Sequence, residues 1–104
     1  FHPTGRLIQR RKAYELDMER VIKEAVKTGT VLEINAFPDR SDLKDEHIRM
    51  GVEAGAKFVI DSDAHSKDHL KYLEFGIAQA RRGWAEANDV VNTLSLNKFL
   101  KKLK

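Results

Sequence analysis

The stretch Phe58-Val59-Ile60-Asp61-Ser62-Asp63-Ala64-His65-Ser66 ends an apolar, strand-like run in two carboxylates and an imidazole. Side chains alternate across a strand, so Asp61, Asp63 and His65 share one face wherever the extended geometry persists. Carboxylates and an imidazole converging there suit a divalent cation or acid/base chemistry. The same spacing also suits a plain turn, in which Asp61 and Asp63 open the turn and cap a helix while His65 stays exposed. Spacing alone does not choose between the two; the order of the neighbouring elements does.

Working upstream, Lys57–Asp61 reads as one strand and Thr30–Ala36 as another. In the second, Val31, Glu33 and Asn35 take one face, and Leu32 and Ile34 the other. A strand covered on both faces normally reads as continuous hydrophobics, so Glu33 and Asn35 need a polar place. Either a cleft at the strand's C-terminal end or the wet face of an edge strand would provide it. Between the strands, Pro38 bars continuation of a ladder through the loop Phe37–Arg40. A helix is predicted from about Asp42 to Ala54, with Ile48 and Val52 inward, Gly55 as its end and His47 exposed among Asp45, Glu46 and Arg49. An earlier helix should start at Asp17 as N-cap, with Leu16 and Val21 as a hydrophobic staple. Its buried stripe is Val21, Ile22, Ala25 and Val26, and Gly29 closes it. Strands alternating with helices predict βαβ units, a parallel sheet and an α/β fold. Sites collect beyond the carboxyl ends of such strands. Glu33/Asn35 and Asp63/His65 each lie at or just past one, which favours a site over a capping turn.

The flanks are plainer. Residues 2–16 read as a loop carrying Arg6, Arg10, Arg11 and Lys12, either a solvated basic turn or a phosphate-facing loop, since guanidinium forks match phosphate oxygens. Beyond Ser66, His69–Tyr72 reads as a short turn, and His69 has no obvious partner. Gly76 should interrupt the chain before a helix over Ile77–Arg82, which Gly83 ends. Arg81 and Arg82 suit the helix dipole there, and Trp84 reads as a packing anchor. Asn92-Thr93 forms a turn, and Ser95 caps a final helix with Leu96, Phe99, Leu100 and Leu103 on one face. Lys98, Lys101, Lys102 and Lys104 cover its other side.

With 104 residues the chain suits one small domain. It has 19 Lys+Arg against 16 Asp+Glu, a formal charge of +3, too small an excess to argue for nucleic acid by itself. Its 41% hydrophobic and 34% charged content is that of a folded, soluble chain. No apolar run approaches the ~20 residues of a membrane span, and no signal-peptide pattern is present. There is no cysteine, which excludes disulfides and thiolate–metal sites and is compatible with a reducing cytoplasm. A start at Phe1-His2-Pro3, without an initiator methionine, predicts a fragment of a longer chain.

Several separated strings agree with one family. His2-Pro3-Thr4-Gly5-Arg6, Leu32-Glu33-Ile34-Asn35-Ala36, Ser62-Asp63-Ala64-His65-Ser66 and Ala80-Arg81-Arg82-Gly83-Trp84 occur in that order, followed by Asn92-Thr93. Together they resemble the C-terminal part of a PHP (polymerase and histidinol phosphatase) domain, in the form attached to bacterial and archaeal family X DNA polymerases. The resemblance runs from His2 to the final helix. It implies a distorted (β/α)7 barrel with a cluster of two or three metal ions at its C-terminal mouth, Mn²⁺ or Zn²⁺ by ligand type. It further implies that His2, Asp63 and His65 are metal ligands, with Asp63 and His65 at the catalytic centre and Asp61 in a supporting role. Arg6, Arg40 and Asn35 become candidates for substrate contact, and Glu33 for support behind the ligands.

The family's early His-x-His motif and its further His and Glu ligands have no counterpart in these residues. An α/β barrel of this kind needs roughly 250 residues. The expectation is therefore about half of a barrel, residues 1–104, as one segment of a PHP domain attached to a polymerase. Such a segment would contribute to a phosphoesterase acting on DNA 3′ ends, a 3′–5′ exonuclease or end-trimming activity, and would be inactive alone. A small-molecule phosphatase of the histidinol phosphate type and a non-catalytic brace for the polymerase are the alternatives. A cytoplasmic location, no membrane partner and some self-association through uncovered strand edges complete the expectation.

Overall fold

In the computed structural model, which describes residues 1–103, the first regular element forms where a good cap meets an amphipathic run. Helix α1 covers Met18–Thr28; the Asp17 carboxylate accepts from the Arg20 N–H at 3.2 Å, and Gly29 closes it in the left-handed conformation, φ 72°. The buried line is Met18, Ile22 and Ala25. Val21 and Val26, expected in that stripe, flank it instead and are 37% and 41% exposed. Leu16 is exposed as well, so the predicted staple with Val21 is not a buried contact.

Strand β1, Val31–Asn35, pairs in parallel with β2, Lys57–Asp61, in register from Val31 opposite Lys57 to Asn35 opposite Asp61. Leu32, Ile34, Phe58 and Ile60 are buried with Ile22, Ile48, Leu43 and Ala80 in the core. The crossover between the strands contains α2, Asp45–Ala54, which starts three residues later than expected. The reason is Asp42, whose backbone is engaged with Asn35 as an antiparallel bridge and whose side chain is fully buried. A residue paired to a strand edge cannot also open a helix. His47, expected to be exposed, is half-buried on this helix.

After β2, a 3₁₀ helix over Lys67–Tyr72 leads directly into α3, Leu73–Arg82. Gly76 does not interrupt it. A Cβ there would stand 2.5 Å from Ile60 Cγ2 and 2.8 Å from the Ala36 Cβ, so glycine is what lets α3 lie against the strand ends. At the other end of α3, Gly83 meets Ile48 in the same manner. Trp84, expected as the anchor, is 62% exposed, with the Arg49 guanidinium 3.7 Å from its ring centroid. The close approach that anchors this corner is made by glycine, not by tryptophan.

The edge of β2 away from β1 is covered. Val90 bridges Phe58, and the Asn92 side chain accepts from the Ile60 N–H at 2.8 Å and donates to the Ile60 carbonyl at 2.9 Å. Val90 stands between two short 3₁₀ turns, Ala87–Asp89 and Val91–Thr93, and Asn92 lies in the second. Helix α4, Leu96–Lys102, follows; Ser95 precedes it without a side-chain cap bond. Phe99 is partly buried, but Leu96, Leu100 and Leu103 are exposed, so the predicted apolar face is mostly uncovered. Lys104, assigned to the opposite face, lies outside the described residues. The architecture is thus α/β, with a two-stranded parallel sheet and four helices among the described residues. None of those helices is long and apolar enough to cross a membrane.

Candidate functional site

The parallel register brings Asn35 and Asp61 side by side at the carboxyl ends of β1 and β2. Asn35 is fully buried and acts as a hub. Its Nδ2 lies 3.2 Å from His2 Nδ1, 3.2 Å from Asp63 Oδ2 and 3.4 Å from Glu33 Oε1. An amide nitrogen has two hydrogens, so two of these three are served at a time. The Asn35 Oδ1 accepts from the Phe37 N–H at 3.0 Å, which fixes the amide's orientation and the start of the 37–41 loop.

His2 reaches the hub because the loop bearing it is tied down from below. The buried Asp42 carboxylate accepts from the Thr4 N–H and the Gly5 N–H at 3.0 Å each, and from the Thr4 hydroxyl at 2.8 Å. The His2 N–H donates to the Glu33 carboxylate. Its ring then spans two carboxylates, Nδ1 at 4.0 Å from Glu33 Oε2 and Nε2 at 3.9 Å from Asp63 Oδ2. His2 and Asp63 both adopt the left-handed region, φ 48° and 51°. Such a backbone costs a side-chain-bearing residue about 1–3 kcal/mol and persists only where surrounding bonds hold it. Two of the three residues that the resemblance implies as ligands, His2 and Asp63 but not His65, are therefore held in strained positions around Asn35.

Asp61 stands beside them with its Oδ1 buried and without a hydrogen-bond partner among the described residues. Burial, followed by the adjacent carboxylates of Glu33 and Asp63, pushes its carboxyl up to about 7. The recess in front, about 380 Å³, is lined by Phe1, His2, Glu33, Asp61, Asp63 and their neighbours. Opposite charge comes from Arg40, whose Nε is 3.8 Å from Asp63 Oδ2 and whose Nη1 is buried with no partner among the described residues. Arg6 lies one step behind. Its Nε donates to the Arg40 carbonyl at 2.9 Å and its Nη2 to the Ser41 carbonyl, so it braces the loop that presents Arg40.

His65 is placed differently. It is exposed, its ring meets Phe37 and His69 edge-on at 6.4 and 6.2 Å, and its N–H donates to His69 Nδ1 at 3.1 Å. No hydrogen bond or ion pair among the described residues joins it to His2 or Asp63. The structure thus brings His2, Asn35, Asp63 and Arg40 together, sets Arg6 behind them and leaves His65 at the rim. The donor types, imidazole plus carboxylate with one orphaned buried oxygen, are those a divalent transition ion takes. Yet among the described residues no three His, Asp or Glu side chains converge closely enough to hold an ion as they stand. Sequence reasoning missed Asp42, read as the start of a helix, and left His69 without a partner. Asp42 has no local signal, since it meets its partners 37 and 38 residues away, whereas His69 takes the N–H of His65 only four residues before it.

No family model matches the chain. Over 95 residues, 91% of its length, it is 47% identical to the DNA polymerase/3′-5′ exonuclease PolX of Bacillus subtilis. It is also 30% identical, over 84% of its length, to probable phosphatases from two strains of Aliivibrio fischeri. The chain spans 17% of the polymerase's length and 38% of each phosphatase's. It is thus related in sequence to a segment of PolX and, more distantly, to phosphatases.

Proposed function

We propose that this chain is the C-terminal part of a PHP-type barrel within a longer, PolX-like cytoplasmic protein, and that it supplies part of a metal-dependent phosphoesterase site acting at DNA 3′ ends. The observation that carries this reading is that His2, Glu33 and Asp63 all meet the Asn35 amide, with Asp61 opposite Asn35 at the carboxyl end of the neighbouring parallel strand. The similarity to a polymerase with a named 3′-5′ exonuclease supports the substrate. His2, Asp63 and His65 are the residues assigned to a Mn²⁺ or Zn²⁺ cluster, with the remaining ligands on segments before Phe1. When bound, such ions lower the pKa of a water and neutralise phosphate charge. Asn35 fixes His2 and Asp63 in place. Arg40 offers its free Nη1 to a phosphate oxygen, and Arg6 holds the Arg40 loop. A small-molecule phosphatase is the second reading, favoured by the relatives named as probable phosphatases.

The test uses a protein in which this chain is joined to the preceding segment of its barrel. Mn²⁺-dependent nucleotide release from the 3′ end of single-stranded DNA is compared with hydrolysis of a small phosphomonoester. Release should fall at least about 100-fold in Asp63→Asn, and the 104-residue chain alone should turn over little or nothing. An undiminished rate in both His2→Ala and Asp63→Asn sinks the site assignment. Faster hydrolysis of the small ester, with no action on DNA, favours the second reading.

A further inference from the structure

The loop over residues 37–41 carries more than Arg40. On one side, Phe37 begins a cluster of rings, its centroid 5.3 Å from His69 and 5.5 Å from Tyr72, both edge-on. His69 and Tyr72 stack on each other at 5.2 Å, and Tyr72 leads to Phe75 at 5.8 Å. Phe75 is a large apolar ring left 51% exposed. It precedes Gly76, which packs on Ala36 just past the end of β1, so the ladder stands at the same end of the sheet as Asp63.

The same loop holds a basic segment on its other side. Asp39 accepts from the Ile8 N–H at 2.6 Å through its carbonyl and pairs with Arg10 at 3.8 Å through its carboxylate. Between residues 6–16 and the start of α2 lies a cleft of about 830 Å³, lined by Arg6, Arg10, Arg11, Lys12 and Lys44 against a single carboxylate, Glu15. Lys44 is paired with Glu46 at 3.0 Å, and Arg11 Nε donates to the Gly5 carbonyl at 2.8 Å. Among the described residues, the ammonium of Lys12 and the terminal nitrogens of Arg11 meet no carboxylate.

We infer that the 37–41 loop supports a single-stranded nucleic-acid track, with Phe75, the exposed end of the Phe37–His69–Tyr72–Phe75 ladder, stacking a base and the Arg11–Lys12 cleft holding phosphates. Rings for base faces beside cations for the backbone are the two components that sequence-tolerant single-strand binding requires. A small phosphomonoester would use neither the ladder nor a cleft of that volume, and duplex DNA keeps its base faces stacked internally. The inference rests on the phosphoesterase reading for its place at the site, but not for its chemistry.

Fluorescence anisotropy with a labelled oligothymidylate, measured on this chain in EDTA, tests the track without hydrolysis or metal. Phe75→Ala should weaken binding about tenfold, the order of one lost base–ring stack. An abasic strand of equal length should bind the unaltered chain about tenfold more weakly, with no further loss in Phe75→Ala. Arg11→Ala/Lys12→Ala should weaken both strands alike and lower the salt slope by about 0.7 per lost phosphate contact. Tyr72→Ala, checked for folding by circular dichroism, provides a second ring variant. Equal affinity for normal and abasic strands, or no change in either ring variant, overturns the stacking ladder, as does absence of binding. Those outcomes leave the hydrolysis test of the joined protein untouched. Ring-dependent binding without hydrolysis would instead fail the phosphoesterase reading and keep the track.

Discussion

His47 sits on α2 with its Nδ1 buried and lacking a hydrogen-bond partner among the described residues. Burial, with help from the Lys44 ammonium, lowers its pKa, while Glu46 and Asp42 pull the other way and Arg6 adds slightly to the lowering. The unfolded chain, with an ordinary value near 6.5, then takes up more protons than the folded chain as pH falls through that value. The neutral ring's contribution to stability is therefore present above about pH 6.5 and is lost on acidification below it. Replacing His47 with Gln removes that dependence. Urea midpoints at pH 8 and pH 5 should fall further for the unaltered chain than for His47→Gln, and equal falls would show that the ring is solvated in solution. Asp42, a few residues away, illustrates the opposite case. Its buried carboxylate is fully supplied with donors by Thr4 and Gly5, which is how a loop with little packing of its own delivers His2 to the site.

At the scale of elements, Gly76 separates two physical accounts by the sign of one substitution. If this glycine merely weakened a helix, Gly76→Ala would stabilise the chain by about 1 kcal/mol. Because the added Cβ would overlap Ile60 and Ala36 in a closed core, overpacking of about 1–3 kcal/mol should prevail. A net loss of about 1 kcal/mol or more in a denaturant titration is expected, and a gain would mean that α3 can slide off the sheet. The same residue marks where local reading stops. Lys57–Asp61 is visible as a strand and α1 by its caps because alternation and capping are written in adjacent residues. The alternation of strands and helices likewise made the parallel pairing and the polar end near Glu33 and Asn35 legible. Gly76, Gly83 and Asp42 are defined by what approaches them from elsewhere in the chain, so a helix-breaker, a tryptophan anchor and a helix start were read where close packing and a buried carboxylate stand. The hub made by Asn35 was legible only as a polar residue needing a place, not as the group that holds His2 and Asp63 together.

Across the whole molecule, surface and extent do not match. The radius of gyration, 13.2 Å, is close to the roughly 12.9 Å of a compact chain of this length. Its accessible surface, 7176 Å², exceeds the about 5,900 Å² typical of a monomer of 11.9 kDa. The excess coincides with apolar groups that find no cover: Phe1 is 96% exposed and Leu96 70%, with Leu100 and Leu103 also outside. Between α4 and the sheet, a recess of about 350 Å³ is lined by Val31, Val59, Val91, Phe99 and Leu103, with Glu33 and Asp61 at its polar side. Asn92 and Val90 close the outer edge of β2, so association through that strand edge is blocked, and the apolar face of α4 is an uncovered surface able to drive it. Sedimentation velocity should therefore show the weight-average mass rising with concentration, and Leu96→Gln/Leu100→Gln should return it toward 11.9 kDa. A concentration-independent monomer in the unaltered chain would mean that α4 folds its leucines against the recess in solution. Association that survives the double substitution would place the contact elsewhere, on Phe1 and the recess it lines, on the outer edge of β1 or on other exposed apolar side chains such as Trp84.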